Sequence, residues 1–462
     1  MSNRLSRQLF QPVDISGLVL FRIVFGLMMA FDSLRYVLFG WVHSHYLDPP
    51  ILLKFHGFEW VHPISPFFVY GVFGVMVASG LGIALGWFYR TSCLLFFLGH
   101  SYVFLLSAAH YLNHAYLISV WALLMAFVPA QRALSVDAWL NPEIHSLRIP
   151  AWPRWMLVGM LTMVYGFGAL AKMNPDWLAA EPVRHWMTDS AGQVPALGDI
   201  IASETFVWVV AWGGLLFDLL IAPLLLWRRT RIIGAVISAG FHLTNAYLFH
   251  IGVFPWFMLA ATTLFFDPAW LRRMGQTGRE LCEAIETVGA PDDAREQSYV
   301  EPTERRQNLV VRGLVILAAV QLLVPLRHHL YRGDVAWTEE GHCFSWRMKL
   351  RNKRGSAVFR VRDPETGRQW TERPEWRATE RQAHKLTCRP DLLLQFAHVL
   401  RDAYLKEEGA TVEVFADVHC SLNYRPRQRL VDPSVDLAKE SLSFRHYEWL
   451  IPLTTPLRPK AP

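Results

Sequence analysis

Nine apolar stretches fill most of the first 326 residues and restrict the chain to a polytopic helical architecture. They run over 15–39, 66–88, 91–109, 115–129, 153–171, 205–227, 232–250, 251–266 and 309–326. A helix needs about 20 apolar residues to cross the hydrocarbon core. The fourth and eighth stretches are short for that and read as tilted or re-entrant. Arg22, Asp32 and Arg35 interrupt the first stretch, and no small-residue cleavage site follows it, so it reads as a retained helix and not as a signal peptide.

The basic residues agree with alternating crossings. Arg4 and Arg7 precede span one, Arg90 joins spans two and three, and Arg132, Arg148 and Arg154 lie between four and five. Arg228, Arg229 and Arg231 join six and seven, while Arg272 and Arg273 follow eight. Nine crossings place all of these on one side, which the positive-inside rule makes cytoplasmic. The N-terminus is then cytoplasmic and everything beyond Arg327 extracytoplasmic. The expectation is a multi-pass membrane protein.

Residues 1–326 form the expected membrane domain, with 271–307 a charged cytoplasmic loop containing an amphipathic helix and a linker. Residues 327–462 change character and become rich in Arg, Glu, Asp and Trp. Strand-like alternation over 344–350, 357–361 and 411–420, helical periodicity over 391–405 and the turn at 363–367 predict a β-rich α+β domain. Cys343, Cys388 and Cys420 fall in this domain, where an extracytoplasmic disulfide between two of them is compatible with the location, but spacing leaves the pairing open. The formal charge of +6 suits anionic lipid or an acidic substrate. No zinc-finger, helix-turn-helix or P-loop spacing is present, so neither nucleic acid nor a nucleotide is an expected partner.

In this topology five separate segments deliver titratable or amide groups to one level near the outer face. Asn113 and His114 lie between spans three and four, and Lys172 ends span five just before the helix-breaking Asn174-Pro175. Arg184, His185 and Trp186 lie in the next outer loop, His242 and Asn245 in the outer half of span seven, and Arg327 and His328 at the end of span nine. Ionisable groups at membrane depth are functional candidates. Each also has a plainer reading: Lys172 as a snorkelling anchor, His114 as an interfacial histidine, Arg184 and Arg327 as headgroup contacts. His242, within a helix, needs a partner. Arg22, Asp32 and Arg35 read as structural ion pairing, and Gly82 with Gly86 as a close-packing GxxxG. His110 and His114 at i,i+4 lack a carboxylate or cysteine to complete a metal site, so no metal is expected.

Taken in order, these residues resemble the vitamin K-dependent gamma-glutamyl carboxylase family, whose membrane part is shared with HTTM domain proteins. The matching stretches are Phe21-Arg22 through Asp32, Tyr89 through Cys93, Asn113 through Leu117, Ser135-Val136-Asp137 and Lys172 through Trp177. They continue with Arg184-His185-Trp186, Phe241-His242 through Asn245, Leu248-Phe249 and Ile251-Gly252. In the C-terminal region they are Arg327-His328, Ser345-Trp346, Arg429 through Asp432-Pro433 and Val435-Asp436. The C-terminal matches point to a full-length carboxylase homologue and not to a bare HTTM protein.

The resemblance implies a chemistry. Reduced vitamin K, as phylloquinol or menaquinol, reacts with O2 to give an epoxide by way of a strongly basic alkoxide. That base removes the γ-proton of a peptidyl glutamate, and the carbanion takes up CO2. It implies no metal. Lys172 matches the family's catalytic lysine and His114 a histidine of the carboxylation half. Asn113 matches a quinol-contacting residue, and Met348 one of two methionines near the quinone. Arg184, His242 and His328 match positions around the quinol and the glutamate or CO2. Expected partners are a Glu-containing peptide or protein, membrane lipid and quinone. The chain departs from the animal pattern at Ala171, which replaces a lysine, at Lys349, which replaces the second methionine, and in lacking a counterpart of the interdomain disulfide. Two other readings stay open: a quinol epoxidase acting on another acceptor, and a quinone- or lipid-binding scaffold with no enzymatic role.

Overall fold

The computed structural model describes residues 3–192, 195–249, 251–288, 290 and 299–457. A helical body is followed by a sheet-containing C-terminal domain. The helices that matter to the site are α1 (Ser16–Leu38), α2 (Pro66–Leu85), α3 (Tyr89–Leu106), α4 (Asn113–Met125), α5 (Trp152–Lys172), α6 (Glu181–Ala191), α7 (Glu204–Leu226), α8 (Arg231–Phe249) and α9 (Phe254–Thr262). After them come α10 (Gly275–Thr287) and α11 (Glu304–Leu326). Each of the nine apolar stretches contains one of these helices.

Five of them, α1, α2, α5, α7 and α11, are long and apolar enough to cross a membrane. The expectation of nine crossings therefore goes beyond what length and composition support among the described residues. The reason is visible in α4 and α9. They are too short to span and meet α1 in an inner aromatic cluster: Trp121 lies 5.9 Å from Phe21 and 5.1 Å from Phe257, and Phe257 lies 6.1 Å from Phe25. Their apolarity comes from burial among helices, which hydropathy cannot distinguish from contact with lipid. At the opposite extreme, only 11% of the apolar window of α11 is buried, leaving most of its surface facing outward.

Two readings of the first helices are corrected. Gly82 does pack closely, a Cβ there coming within 2.4 Å of Ser92 Oγ on α3, but Gly86 closes α2 in the left-handed region at φ 64°. The close approach of α1 and α2 occurs instead where a Cβ on Gly26 would come within 2.3 Å of the Ala84 nitrogen, and one on Gly80 within 2.6 Å of the Ala30 nitrogen. Arg22 has no ion-pair partner among the described residues. Its guanidinium donates to the carbonyls of Ala130 (2.8 Å), Ala133 (3.2 Å) and Leu134 (2.5 Å), satisfying a turn that leaves its own carbonyls unpaired. Asp32 does pair with Arg35.

Before α5, β1 (Pro12–Asp14) pairs antiparallel with β2 (Arg148–Pro150). The C-terminal domain holds a four-stranded antiparallel sheet in the order β4-β3-β5-β6, formed by β3 (Lys353–Arg362), β4 (Gln369–Glu372), β5 (Glu413–Leu422) and β6 (Gln428–Arg429). Alternate residues of β5 (Val414, Ala416, Val418, Cys420 and Leu422) are buried, the period of two expected of a half-buried strand. They share a core with Leu392, Leu393, Phe396 and Leu400 of α13 (Pro390–Glu408), which follows the short α12 (Glu380–Leu386). All five cysteines are free thiols, and the Cys420 and Cys388 sulfurs lie 3.9 Å apart.

The expected strand over 344–350 is absent. Phe344, Trp346 and Lys349 take left-handed φ values of 59°, 56° and 46°, which no strand accommodates. The apolar residues that alternate there reach into the helical body. Trp346 is fully buried and stacks on Tyr116 of α4 at 4.8 Å, and Met348 packs against the helical core.

Candidate functional site

A cavity of about 960 Å³ opens where this inserted loop meets α1, α3, α4 and the start of α9. Of the residues singled out in the sequence, Asn113, His114 and Met348 line it; Lys172, Arg184, His242 and His328 do not.

Asn113 begins α4, at the point where the chain turns from the Ser107–Leu112 segment into the helix. Its Nδ2 donates to the Arg347 carbonyl at 3.0 Å, and its Oδ1 accepts from the Tyr111 hydroxyl at 2.8 Å. Tyr111 accepts in turn from the Phe344 N–H at 2.5 Å. The amide is therefore held by both domains. His114, one residue on, lies against Phe254 with ring centroids 5.5 Å apart. Phe73, Met76, Ile118 and Phe254 supply an apolar floor.

The opposite wall belongs to the C-terminal domain and is strongly cationic. Arg347, Lys349, Arg351, Lys353, Arg381, Lys385 and Arg389 face the cavity, with the carboxylate of Glu339 among them. Burial alone would raise the Glu339 carboxyl, but Arg351, His342 and Lys353 override it and hold it at about 2. Arg351 Nε lies 2.6 Å from Glu339 Oε1 and Lys353 Nζ 3.9 Å from the same oxygen. Burial also pushes the neighbouring His342 down to about 3, so it is a neutral imidazole at pH 7.

Lys172 sits outside the cavity in an ion pair with Asp218 of α7, both groups buried. A Cβ on Gly168, one turn earlier on α5, would lie 2.6 Å from Asp218 Oδ2, so that glycine is what admits the carboxylate. The Trp177 ring covers the ammonium at 5.2 Å and is itself fixed by its Nε1–H donating to the Ala211 carbonyl at 2.9 Å. Trp186 of α6, 6.1 Å from Trp177, is the residue that reaches the cavity wall. Trp177 and Trp186 thus link Lys172 by ring contacts to the cavity wall. Asp218 was missed in the sequence, although it left a signal: one carboxylate inside the apolar run Gly213–Leu226.

His242 is separated from the cavity by one ring. It lies 6.3 Å from Phe254, whose ring also contacts His114, and its Nε2 is 3.0 Å from the Tyr165 hydroxyl. The partner a mid-helix histidine requires is thus Tyr165. Its Nδ1 is buried with no hydrogen-bond partner among the described residues. Arg184 pairs with Glu204 and, at 3.8 Å, with Glu181. His328 turns to the Pro325 carbonyl at 2.7 Å and packs on His329 at 4.0 Å. His110 faces His45 across 4.7 Å and not His114. Among the described residues no group of three or more metal-ligating side chains occurs.

A second junction fixes the two domains together beside Lys172. Asn174 caps the turn after α5, and Asp176 within that turn accepts from Arg425 Nη1 at 2.5 Å, Arg425 Nη2 at 2.6 Å and Asn423 Nδ2 at 2.6 Å. Such a fork-to-fork pair is geometrically specific.

The cavity combines an oriented amide, a thioether, an apolar floor and a cluster of cations. Its volume lies in the range of small-molecule sites. Residues 10–270 match the HTTM domain, and residues 306–456 match the domain described as vitamin K-dependent gamma-carboxylase, lumenal domain. No solved structure matches the chain.

Proposed function

Because the chain belongs to the vitamin K-dependent gamma-glutamyl carboxylase family, we propose that it couples quinol oxygenation to carboxylation of a peptidyl glutamate. The observation that carries this reading is the cavity at the domain junction, where Asn113 and Met348 from two domains face a cationic wall. A bound quinol supplies, through its reaction with O2, the strong base that the γ-carbon of glutamate requires. The protein's part is to place it, remove a first proton and hold the carboxylate.

Asn113, held by Tyr111 and the Arg347 carbonyl, orients a ring hydroxyl. Met348 and the apolar floor pack the ring and its chain. The cationic wall receives the substrate carboxylate in a site where a like-charged lining would repel it. His114, beside Phe254, is placed to serve the carboxylation half, with His242 behind it. Arg184 and His328 act from the periphery. Lys172 is the proposed initiating base. As an ammonium paired with Asp218 it accepts no proton, so the pair must part, or its proton must pass to Asp218, before Lys172 acts. A quinone in the membrane reaches the cavity from the lipid side, and the acceptor glutamate from the side of the C-terminal domain, proposed to be extracytoplasmic.

The test is made with the full chain in nanodiscs, given reduced vitamin K or menaquinol and O2, with epoxide read by chromatography and labelled CO2 by incorporation into a Glu-containing peptide. Epoxide and label that vanish in a folded, quinone-binding Lys172→Ala variant are expected. No epoxide from folded wild type, with and without peptide, removes the enzymatic reading.

A further inference from the structure

We propose that Lys349 is a second proton-accepting group for the quinol, contacting the bound ring from the C-terminal domain. This rests on the quinol reading above and adds to it a base that already faces the cavity.

Three observations meet at this residue. Lys349 lines the cavity, whereas Lys172 does not. Its loop is anchored on both sides of the domain junction: Trp346 is buried on Tyr116, and the carbonyl of Arg347, two residues before Lys349, accepts from the quinol-orienting amide of Asn113. A ring held by Asn113 and Met348 would share this cavity with the lysine. Finally, Lys349 holds φ 46°. A non-glycine residue in that region persists only where its surroundings enforce it. Here Leu350, buried with Ala169 and Trp177, and Trp346 pin the chain on either side.

The chemistry of the amine agrees. Lys349 is exposed to the water of the cavity, and partial desolvation by the protein around it pushes its ammonium down to about 8. At neutral pH about one molecule in ten then carries the unprotonated amine. The charged groups sharing the space are the pairs Asp32–Arg35 and Glu339–Arg351, together with Arg347, Lys353, Arg381, Lys385 and Arg389. In the proposed step the quinol O–H bond breaks, an N–H bond forms at Nζ, and the positive charge comes to rest 5.2 Å from the Trp186 ring, whose face stabilises a cation. A methionine at this position provides no such group.

Two readouts decide it, on wild type, Lys349→Arg and Lys349→Met in nanodiscs. The first is competitive acylation of the Lys349 amine, followed by mass spectrometry from pH 6 to 10, with and without menaquinone. Half-maximal labelling near pH 8 and several-fold protection by the quinone are expected. Labelling that menaquinone leaves unchanged overturns the proposal whatever the epoxide result. The second is epoxide yield: both variants should bind quinone and lose about 100-fold or more, as removal of a general base does. Undiminished epoxide in Lys349→Arg overturns this proposal alone, while epoxide absent from wild type removes it together with the quinol reading.

Discussion

Asp218 of α7 and Lys172 of α5 form a buried ion pair whose approach depends on the missing side chain of Gly168, one turn before the lysine. The arrangement makes Lys172 something other than an anchor at the membrane edge, because a snorkelling lysine directs its ammonium to water and this one directs it to a carboxylate between helices.

Asp218→Asn should destabilise the protein by about 3–5 kcal/mol, since it leaves a buried ammonium without its counter-charge. Thermal unfolding in detergent measures the loss. The double variant Lys172→Met, Asp218→Leu should regain most of it, because it removes both charges. A double variant no more stable than Asp218→Asn would show that the pair is not the source.

Gly168→Ala keeps both charges and separates them. Its new Cβ would meet Asp218 Oδ2 at 2.6 Å, an overpacking that costs on the order of 1–3 kcal/mol. Epoxide formation should fall with it, although neither member of the pair has changed. Wild-type melting and wild-type activity together would contradict the close approach.

The Asp176–Arg425 fork ties the turn after Lys172 to the C-terminal domain. Asp176→Asn should cost about 1–3 kcal/mol by taking the counter-charge from the partly buried Arg425, and it should make the domain junction easier to open. Limited proteolysis between residues 327 and 352 is the readout; cleavage as slow as in wild type would mean the fork does not hold the junction.

Glu339 gives a pH prediction. Its carboxyl is held at about 2 in the fold against an ordinary 4.5, so the unfolded chain binds its proton first as pH falls. The stabilisation is complete above pH 4.5 and is lost as pH falls toward 2. Glu339→Gln should therefore lower the melting temperature at pH 6, and the gap from wild type should narrow as pH approaches 3. A gap that stays constant would show that the pairing with Arg351 and Lys353 does not set this carboxyl.

Much of this protein was legible without its structure. Hydropathy located the nine apolar helices, helical periodicity over 391–405 the long helix of the C-terminal domain, and the period of two over 411–420 the central strand, while Asn113, His114 and Lys172 stood out as polar groups beside apolar stretches. The same local signals misled where burial replaced lipid, at α4 and α9, and where alternation served insertion and not a sheet, over 344–350. Family membership was readable too, because motifs survive in order along the chain whatever their contacts.

What the sequence by itself determined, then, is the set of helices, the sheet, the family and the candidate polar groups, since each depends on residues close together in the chain. Which of those groups share a cavity was decided only by the tertiary structure. Lys172 and Asp218 are 46 residues apart and Asn113 and Arg347 are 234 apart. Ion pairing, desolvation and the facing of one amine toward a cavity and another toward a carboxylate arise only when such distant segments pack.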